Sequence, residues 1–302
     1  MNAFKQTLKK ILPSPVLNAA RETFDAAARL PEWPAAAFHP LRRDTIAGLK
    51  ALKDTHRGER CFVIGNGPSL RQTDLTKLRG EATFGVNRIY LAFPEMGFPT
   101  SYYVCMNDLV IEQCAVDIQA LSMPKFIAWR SRRWLANSPR TVWVNNPRSV
   151  GDKGENLYFL YTSYTGPKFG GADITGRLWE GATVTNITLQ VAYYLGFKQV
   201  ILIGVDHNYT TQGKPNSTVV SQGADPNHFN PNYFGKDFRW QLPDLDTSER
   251  GYAMARQAYE AAGRQVLDAT VGGKLQIFPK VDFTSLFKFI HVPSFFGYHP
   301  LL

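Results

Sequence analysis

The turn after the apolar run 61–64 contains the residues with the clearest chemical potential in this chain. It reads Gly65-Asn66-Gly67-Pro68-Ser69. Because glycine has no Cβ, such a turn lets backbone amides approach a phosphate closely, and the Asn66 amide and the Ser69 hydroxyl add further polar groups. Leu70 replaces the third glycine of the dinucleotide fingerprint, and the chain has no P-loop sequence. The residues predict a phosphate-binding turn, with a tight strand-to-helix connection as the alternative.

Polar residues also follow other predicted strands. Asn87 comes after 82–86, Asn107 after 101–105 and Asp206 after 199–203. Since ligands of parallel sheets bind beyond the carboxyl ends of the strands, these side chains are expected to share one edge and to contact a ribose, a base or a sugar. Each of them alone is an ordinary turn residue. Asp206 is the best candidate for a metal ligand, should the protein use a metal.

A long stretch without periodicity, 207–245, begins directly after Asp206. Irregular segments of this length in a compact domain are usually functional, and this one is predicted to be a lid over the site. It contains two histidines, His207 and His228. The lid also contains two tyrosines that could contact a phosphate, Tyr209 and Tyr233.

The pattern from residue 61 onward alternates short apolar runs with helical segments. Continuous apolar runs are typical of strands that are buried on both faces of a parallel sheet. Predicted strands are 61–64, 82–86, 101–105, 125–129, 141–144, 199–203 and 264–267, and predicted helices are 108–121, 182–195 and 247–262. This alternation predicts a doubly wound, mostly parallel, Rossmann-like α/β domain.

The domain boundaries follow from the same reading. Residues 1–58 are expected to form an N-terminal helical extension, 59–285 the α/β domain and 286–302 an aromatic tail. The extension begins with a basic amphipathic helix that ends at Pro13. Such a helix can lie on an anionic membrane, pack on the domain or form an oligomer contact. A further helix is expected from Asp44, as its N-cap, to about Lys53.

Composition limits the partners of the protein. The chain has 302 residues, a formal net charge of +9 and a pI near 9.4. This charge favours anionic ligands or surfaces, but no basic run or RNA-binding motif predicts nucleic acid as a partner. The three cysteines, Cys61, Cys105 and Cys114, lack metal-ligand spacing and are expected to be buried thiols of a reducing cytoplasm. No apolar run is long enough to span a membrane, and no signal peptide is evident.

The sequence Asp244-Leu245-Asp246 looks like the D-x-D metal motif of sugar transferases. However, it does not follow a predicted strand. Asp246 with Glu249 instead resembles a capping box at the start of the helix 247–262. The capping interpretation is favoured.

An ordered set of short motifs resembles a known family. The set comprises Gly65-Asn66-Gly67-Pro68-Ser69-Leu70, Phe84-Gly85-Val86-Asn87, Tyr103-Val104-Cys105-Met106-Asn107, Gly181-Ala182-Thr183-Val184 and Ile203-Gly204-Val205-Asp206. It resembles the bacterial lipooligosaccharide sialyltransferases, which use CMP-sialic acid, and the broader family called 6-hydroxymethylpterin diphosphokinase-like. The likeness spans roughly 61–270 and leaves both termini uncovered.

The resemblance implies a glycosyltransferase, with a sialyltransferase-like variant of the GT-A fold. It implies that CMP-sugar is held by two groups of residues: Gly65, Asn66, Gly67, Ser69, Asn87 and Asn107, and Gly181, Ala182 and Thr183. The family's phosphate-binding tyrosines lie beyond the strand before Asp206, where Tyr209 is nearest with a spacing that differs by one residue. The family's histidine base corresponds in place to His228, although the flanking residues do not match closely. Histidine titrates near neutral pH, which suits a general base, and His207 is the second candidate.

The expected reaction moves an acidic sugar, of the nonulosonate or Kdo type, from its CMP-activated form to a cell-surface polysaccharide or lipooligosaccharide. It is expected to need no metal or other cofactor, and the protein is expected in the cytoplasm or on the inner face of the membrane. Two alternatives remain open. One is a pyrophosphokinase that uses ATP and Mg²⁺, and the other is a non-catalytic nucleotide-sugar-binding module. A homo-oligomer is also compatible with the sequence.

Overall fold

The computed structural model describes residues 38–135, 157–164, 169–210 and 213–287, with scattered positions between 13 and 34. The N-terminal amphipathic helix, the predicted strand 141–144 and most of the aromatic tail lie outside these residues. No helix in the described part is both long and apolar enough to cross a membrane.

The described chain forms ten strands. They are β1 Arg60–Ile64, β2 Ala82–Val86, β3 Tyr102–Cys105, β4 Lys125–Ala128, β5 Leu157–Ser163, β6 Arg177–Trp179, β7 Gln199–Ile203, β8 Thr218–Val220, β9 Arg239–Gln241 and β10 Gln265–Asp268. Eight of them make one parallel sheet in the order β10-β7-β1-β2-β3-β4-β5-β6. The order changes direction between β1 and β7, which is the point where sheets of this kind bind ligands.

The described helices are α1 Pro40–Leu52, α2 Phe93–Met96, α3 Asp108–Gln113, α4 Ala115–Ala120, α5 Arg132–Leu135, α6 Val184–Leu195 and α7 Leu245–Ala261. Short 3-10 turns occur at Pro68–Gln72, Leu75–Leu78, Ile89–Ala92, Trp129–Ser131 and Thr284–Phe287. Gly196 and Gly263 follow α6 and α7 with left-handed backbone, as glycine after a helix commonly does. The predicted α/β architecture is confirmed.

The core has two halves because the sheet is buried on both faces. In β1, Phe62 and Ile64 belong to one apolar cluster, while Cys61 and Val63 belong to the other. All four side chains are fully buried. This alternation of contacts within a continuous apolar run explains why the strands were predictable from the sequence. All three cysteines are free and buried, as expected.

Two predicted helices differ from the structure, and the strands β5, β6, β8 and β9 were not predicted. The helix 108–121 is interrupted at Cys114, whose φ of −119° and ψ of 21° separate α3 from α4. Helix α1 begins before Asp44, because Pro40 starts it and the Nδ1 atom of His39 accepts a hydrogen bond from the Leu41 amide. Strands β5 and β6 lie within 145–180, where no periodicity marks them.

The segment 207–245 is packed against the domain. It contains the antiparallel pair β8 and β9, and its aromatic side chains are part of the apolar cluster on one face of the sheet. These side chains are Phe229, Tyr233, Phe234 and Trp240. At β9, the Arg239 amide donates to Gln113 Oε1 at 2.9 Å, and Gln113 Nε2 donates to the Arg239 carbonyl at 2.9 Å. The segment is therefore anchored to the domain by aromatic side chains that share the core of the sheet.

The start of the C-terminal tail also packs on the domain. The Phe287 ring stacks on Phe62 of β1, with 5.9 Å between centroids. Arg60 Nη1 donates to the Leu286 carbonyl at 3.2 Å. These contacts place residues 286 and 287 against the same face of the sheet as the segment 207–245.

Candidate active site

A cleft of about 610 Å³ lies at the carboxyl ends of the central strands. Of the thirteen residues predicted for the site, ten line it: Gly65, Asn66, Gly67, Asn87, Asn107, Ala182, Thr183, Asp206, Tyr209 and His228. The other three, Ser69, Gly181 and Tyr233, are buried and contact lining residues from behind. The fold thus brings the polar strand ends and the segment 207–245 to one place.

The glycine turn differs from a phosphate cradle in its hydrogen bonds. The Gly65 amide donates to the Ile203 carbonyl at 2.8 Å, and the Gly67 amide donates to the Gly204 carbonyl at 2.8 Å. A Cβ on Gly65 would lie 2.3 Å from the Gly204 carbonyl oxygen. Both glycines therefore allow the loop after β1 to pack tightly against the loop after β7. Their amides are used inside the protein, contrary to the expectation that they face a ligand.

Asp206 completes this connection between the two loops. Its Oδ1 atom accepts a hydrogen bond from the Ser69 amide at 3.0 Å, and its Oδ2 atom accepts one from the Ser69 hydroxyl at 2.6 Å. Burial raises the pKa of Asp206, and the two hydrogen bonds from Ser69 act in the opposite direction. Because both carboxylate oxygens have partners, Asp206 and Ser69 hold the turn in place. In the described part of the chain, no three His, Cys, Asp or Glu side chains cluster as metal ligands would.

The asparagines of the cleft keep part of their hydrogen-bonding capacity. Asn66 Nδ2 donates to the Val86 carbonyl at 2.9 Å, but its buried Oδ1 atom has no partner within the described chain. Asn107 caps α3, since its Oδ1 atom accepts from the amides of Leu109 and Val110, and its Nδ2 group is left for a ligand. Asn87 has left-handed backbone, with a φ of 50°. An unpaired buried acceptor is costly, so Asn66 Oδ1 is suited to receive a donor from a ligand.

The N-terminus of α6 forms another part of the wall. Gly181 and Ala182 both have left-handed backbone, with φ values of 57° and 55°, and they turn the chain from β6 into the helix. Thr183 is the N-cap, and its hydroxyl lies 3.4 Å from the Tyr252 hydroxyl. The Thr185 amide donates to the Thr183 hydroxyl at 3.3 Å, and the Asn186 amide donates to the Thr183 carbonyl at 3.2 Å. The end of the helix still carries partial positive charge, which favours an anion. This is the most suitable phosphate seat in the cleft.

His228 has a carboxylate partner that the sequence reading missed. Its Nδ1 atom lies 2.7 Å from Oδ2 of Asp225, and the side chains of His228 and Asp225 are only 12% and 4% exposed. The imidazole also stacks on Tyr233, with 3.9 Å between ring centroids and 6° between planes. Tyr233 therefore acts as a support for the imidazole, in place of the phosphate contact expected for it.

The main chain around His228 is joined to the glycine turn. The Phe229 amide donates to the Asn66 carbonyl at 2.9 Å. Arg71 donates from Nε to the Phe229 carbonyl and from Nη2 to the His228 carbonyl, each at 2.8 Å. Arg88 donates its amide to the Tyr233 hydroxyl at 3.2 Å. These contacts fix the position of the histidine relative to β1 and β2.

A buried ionic cluster lies beside the α6 turn and was also missed. Arg130, after β4, donates from Nη1 to Glu180 and to Thr162 Oγ1, from Nε to Asp108 Oδ2 at 2.7 Å, and from Nη2 to the Met106 carbonyl at 2.6 Å. These partners follow or end β3, β5 and β6, so Arg130 joins four neighbouring strand ends. No short motif carries this signal, because the residues are far apart in the sequence.

The Asp244-Leu245-Asp246 motif caps a helix. Asp244, rather than Asp246, is the N-cap of α7, and its Oδ1 atom accepts from the Thr247 amide at 3.0 Å. Glu249 contacts His207 instead, with Oε1 3.0 Å from Nε2 of the imidazole. The motif therefore caps the helix, but the predicted capping box of Asp246 and Glu249 is wrong.

No protein-family model matches this sequence, and no curated protein is significantly similar to it. Among solved structures, the chain is similar to a MAf glycosyltransferase from Magnetospirillum magneticum AMB-1, with 15% sequence identity and a TM-score of 0.45. The similarity covers 90% of this chain and 43% of that protein, so the chain spans less than half of its length. A similarity of this size assigns no chemistry to the cleft.

Proposed function

We propose that this protein is a glycosyltransferase that moves an acidic sugar from a CMP-activated donor to a glycan acceptor of the cell surface. One observation supports it above the others. A single cleft at the switch point of the sheet contains a histidine, His228, the N-terminus of α6 and the unpaired amide oxygen of Asn66. These are a base, an anion seat and an acceptor for a nucleoside group, and the transfer needs all three.

In the proposed step, Nε2 of His228 takes the proton from an acceptor hydroxyl. The oxygen of that hydroxyl then bonds to the anomeric carbon while the bond from this carbon to the phosphate oxygen breaks, and CMP leaves with the bonding electrons. The partial positive charge at the N-terminus of α6 stabilises the charge on the departing phosphate. Tyr209 lines the same cleft and can add its hydroxyl as a donor, and burial raises the pKa of this hydroxyl.

The charge of the chain agrees with this substrate class. A net charge of +9 attracts both an acidic sugar nucleotide and an acceptor on an anionic surface. The acceptor is a polysaccharide or a lipid-linked glycan in this proposal, and the protein works at the inner face of the membrane.

The pyrophosphokinase alternative requires carboxylates that hold Mg²⁺. The two expected candidates are both engaged. Asp206 accepts from Ser69 through both oxygens, and Asp108 accepts from Arg130 through one oxygen and from the Ser131 hydroxyl through the other. The donor set therefore favours transfer from a CMP-sugar.

The first test measures nucleotide binding by calorimetry and thermal shift, with CMP, CDP and ATP, each with and without Mg²⁺. A ligand at about one hundred times its Kd stabilises the folded protein by about 2.7 kcal/mol, which a thermal shift resolves. We expect CMP to bind without metal. Binding of ATP only in the presence of Mg²⁺ would instead support the pyrophosphokinase.

The second test is His228→Ala, assayed with CMP-activated acidic sugars. We expect transfer to be lost and CMP binding to be retained, since the imidazole acts on the acceptor. If the variant keeps full transferase activity, His228 is not the base. If neither protein transfers any sugar but both bind CMP, the binding-module alternative is supported.

A further inference from the structure

The buried carboxylate of Asp225 faces the imidazole of His228. We propose that Asp225 is a positioning residue that holds His228 in the tautomer with the proton on Nδ1, leaving the lone pair of Nε2 for the acceptor hydroxyl. The kinetic part of this inference rests on the proposed function, whereas its structural part does not.

The first support is the distance and burial of the pair. Asp225 Oδ2 lies 2.7 Å from Nδ1 of His228, and the side chain of Asp225 is 4% exposed. An ionised carboxylate can only accept hydrogen bonds, so Nδ1 must be the donor. With the Nδ1 proton used in this way, the neutral imidazole has its lone pair on Nε2. Nε2 makes no hydrogen bond to any residue of the described chain.

The second support is that Asp225 is itself held in place. Its Oδ1 atom accepts from the Asn227 amide at 2.9 Å, and its own amide donates to the Pro231 carbonyl at 2.9 Å. The two carboxylate oxygens therefore have different partners, one on the backbone and one on the imidazole. Rotation of the carboxylate would break both contacts, so its orientation is fixed.

The third support is that the ring plane is fixed as well. Tyr233 stacks face to face on His228, and Phe234 contacts it edge on, with 4.8 Å between centroids. Tyr233 in turn accepts a hydrogen bond from the Arg88 amide. The stack sets the plane of the imidazole and Asp225 sets its rotation within that plane, which together direct Nε2.

The decisive variant is Asp225→Asn. The Asn227 amide still needs an acceptor, so the single oxygen of the new amide stays there and its NH₂ group faces Nδ1 of His228. That NH₂ group donates to Nδ1 and moves the ring proton to Nε2. The volume of the side chain is unchanged, but the base loses its lone pair. Asp237→Asn is the matched control, because Asp237 is exposed in the same segment and is outside the cleft.

The structural test is NMR of the protein with ¹⁵N-labelled histidine, with His228→Gln used to assign the signal among the six histidines. We expect His228 to show the Nδ1–H tautomer in the parent protein and in Asp237→Asn, and the Nε2–H tautomer in Asp225→Asn. An Nε2–H tautomer in the parent protein would overturn the inference, whatever the protein catalyses. This arm does not depend on whether any variant is active.

The kinetic test uses the same two variants with a CMP-sugar donor. A general base contributes about 10²- to 10⁴-fold to the rate, so we expect Asp225→Asn to lower kcat at least 100-fold with KM for the donor nearly unchanged. Asp237→Asn should have the parent kcat. Unchanged kcat in Asp225→Asn would overturn the positioning role. If the Nδ1–H tautomer is found and no donor is transferred, the proposed function fails and the arrangement of the pair stands. Circular dichroism of each variant checks that a lost rate is not lost folding.

Discussion

Asp206 accepts hydrogen bonds from both the amide and the hydroxyl of Ser69, at 3.0 and 2.6 Å. The pair joins the loop after β7 to the loop after β1, at the point where the sheet changes direction. The polar groups of Ser69 in the predicted phosphate-binding turn are therefore bonded to the protein itself. Phosphate binding shifts in our proposal to the N-terminus of α6, across the same cleft.

Gly67→Ala tests how tightly this turn is packed. A Cβ at Gly67 would lie 1.8 Å from Asp206 Oδ2, a clash that must displace the carboxylate. We expect the free energy of unfolding to fall by about 1–3 kcal/mol, as overpacking usually causes, and CMP binding to weaken. Gly235→Ala is the control, since no atom lies within 4 Å of its Cβ. Equal stability of the two variants in urea unfolding would contradict the packing argument.

Ser69→Ala tests the pH dependence of the same contact. Burial raises the pKa of Asp206 in the folded protein, so its contribution to stability is fully present below the unfolded pKa of about 3.9 and is lost as the pH rises through the folded pKa. Ser69 offsets part of this loss, because its hydrogen bonds favour the ionised carboxylate. We expect Ser69→Ala to cost about 1–3 kcal/mol at neutral pH and less in acid, where Asp206 is protonated. Urea unfolding across this pH range measures the difference, and a loss that grows in acid would refute it.

Arg130 and Glu180 form the ionic contact beside the α6 turn, and their side chains are 20% and 9% exposed. Arg130→Met leaves the buried Glu180 carboxylate without its cation, so we expect it to cost about 3–5 kcal/mol. Glu180→Gln should cost less, because Arg130 keeps its ion pair with Asp108. Arg130→Lys should recover little of the stability lost in Arg130→Met, because one ammonium group cannot replace a guanidinium that contacts several strand ends. Chemical unfolding of the single and double variants measures the coupling. Additive losses would mean that the two side chains act independently.

Asn66→Ala tests the unpaired acceptor in the cleft. Without the amide oxygen, a ligand loses one hydrogen bond, and we expect CMP affinity to fall about tenfold, or about 1.4 kcal/mol. Asn232→Ala is the matched control, because Asn232 is exposed and lies outside the cleft. Calorimetry compares the two variants. Unchanged affinity in Asn66→Ala would remove Asn66 from the nucleotide site.

The strands and the position of the cleft could be predicted from the sequence, because apolar runs and polar strand ends are local patterns. Asn66 and Asn107 were identified for that reason, whereas His228 was identified through the family resemblance. Arg130 and Glu180 could not be found, since their contact joins residues 50 positions apart. In contrast, the contact between Asp225 and His228 could have been predicted from the local sequence Asp225-Pro226-Asn227-His228. An acid three residues before a histidine can reach its ring when the chain turns between them.

The hydrogen bonds of the glycine turn were beyond prediction for a related reason. A sequence indicates that Gly65 and Gly67 permit a close approach, but it does not say which group approaches. In this fold the group is the loop after β7, which reaches the turn only once the parallel sheet has formed. The choice between a ligand and the protein's own backbone is made by tertiary structure.

Three hydrogen bonds limit how a ligand can enter the cleft. The Phe229 amide donates one to the Asn66 carbonyl, and Arg71 donates the other two to the carbonyls of His228 and Phe229. His228 cannot move away from β1 to let a ligand enter or leave the cleft unless all three hydrogen bonds are broken. The imidazole and the glycine turn are therefore held together as one rigid unit, and a ligand of the cleft meets His228 in a fixed position.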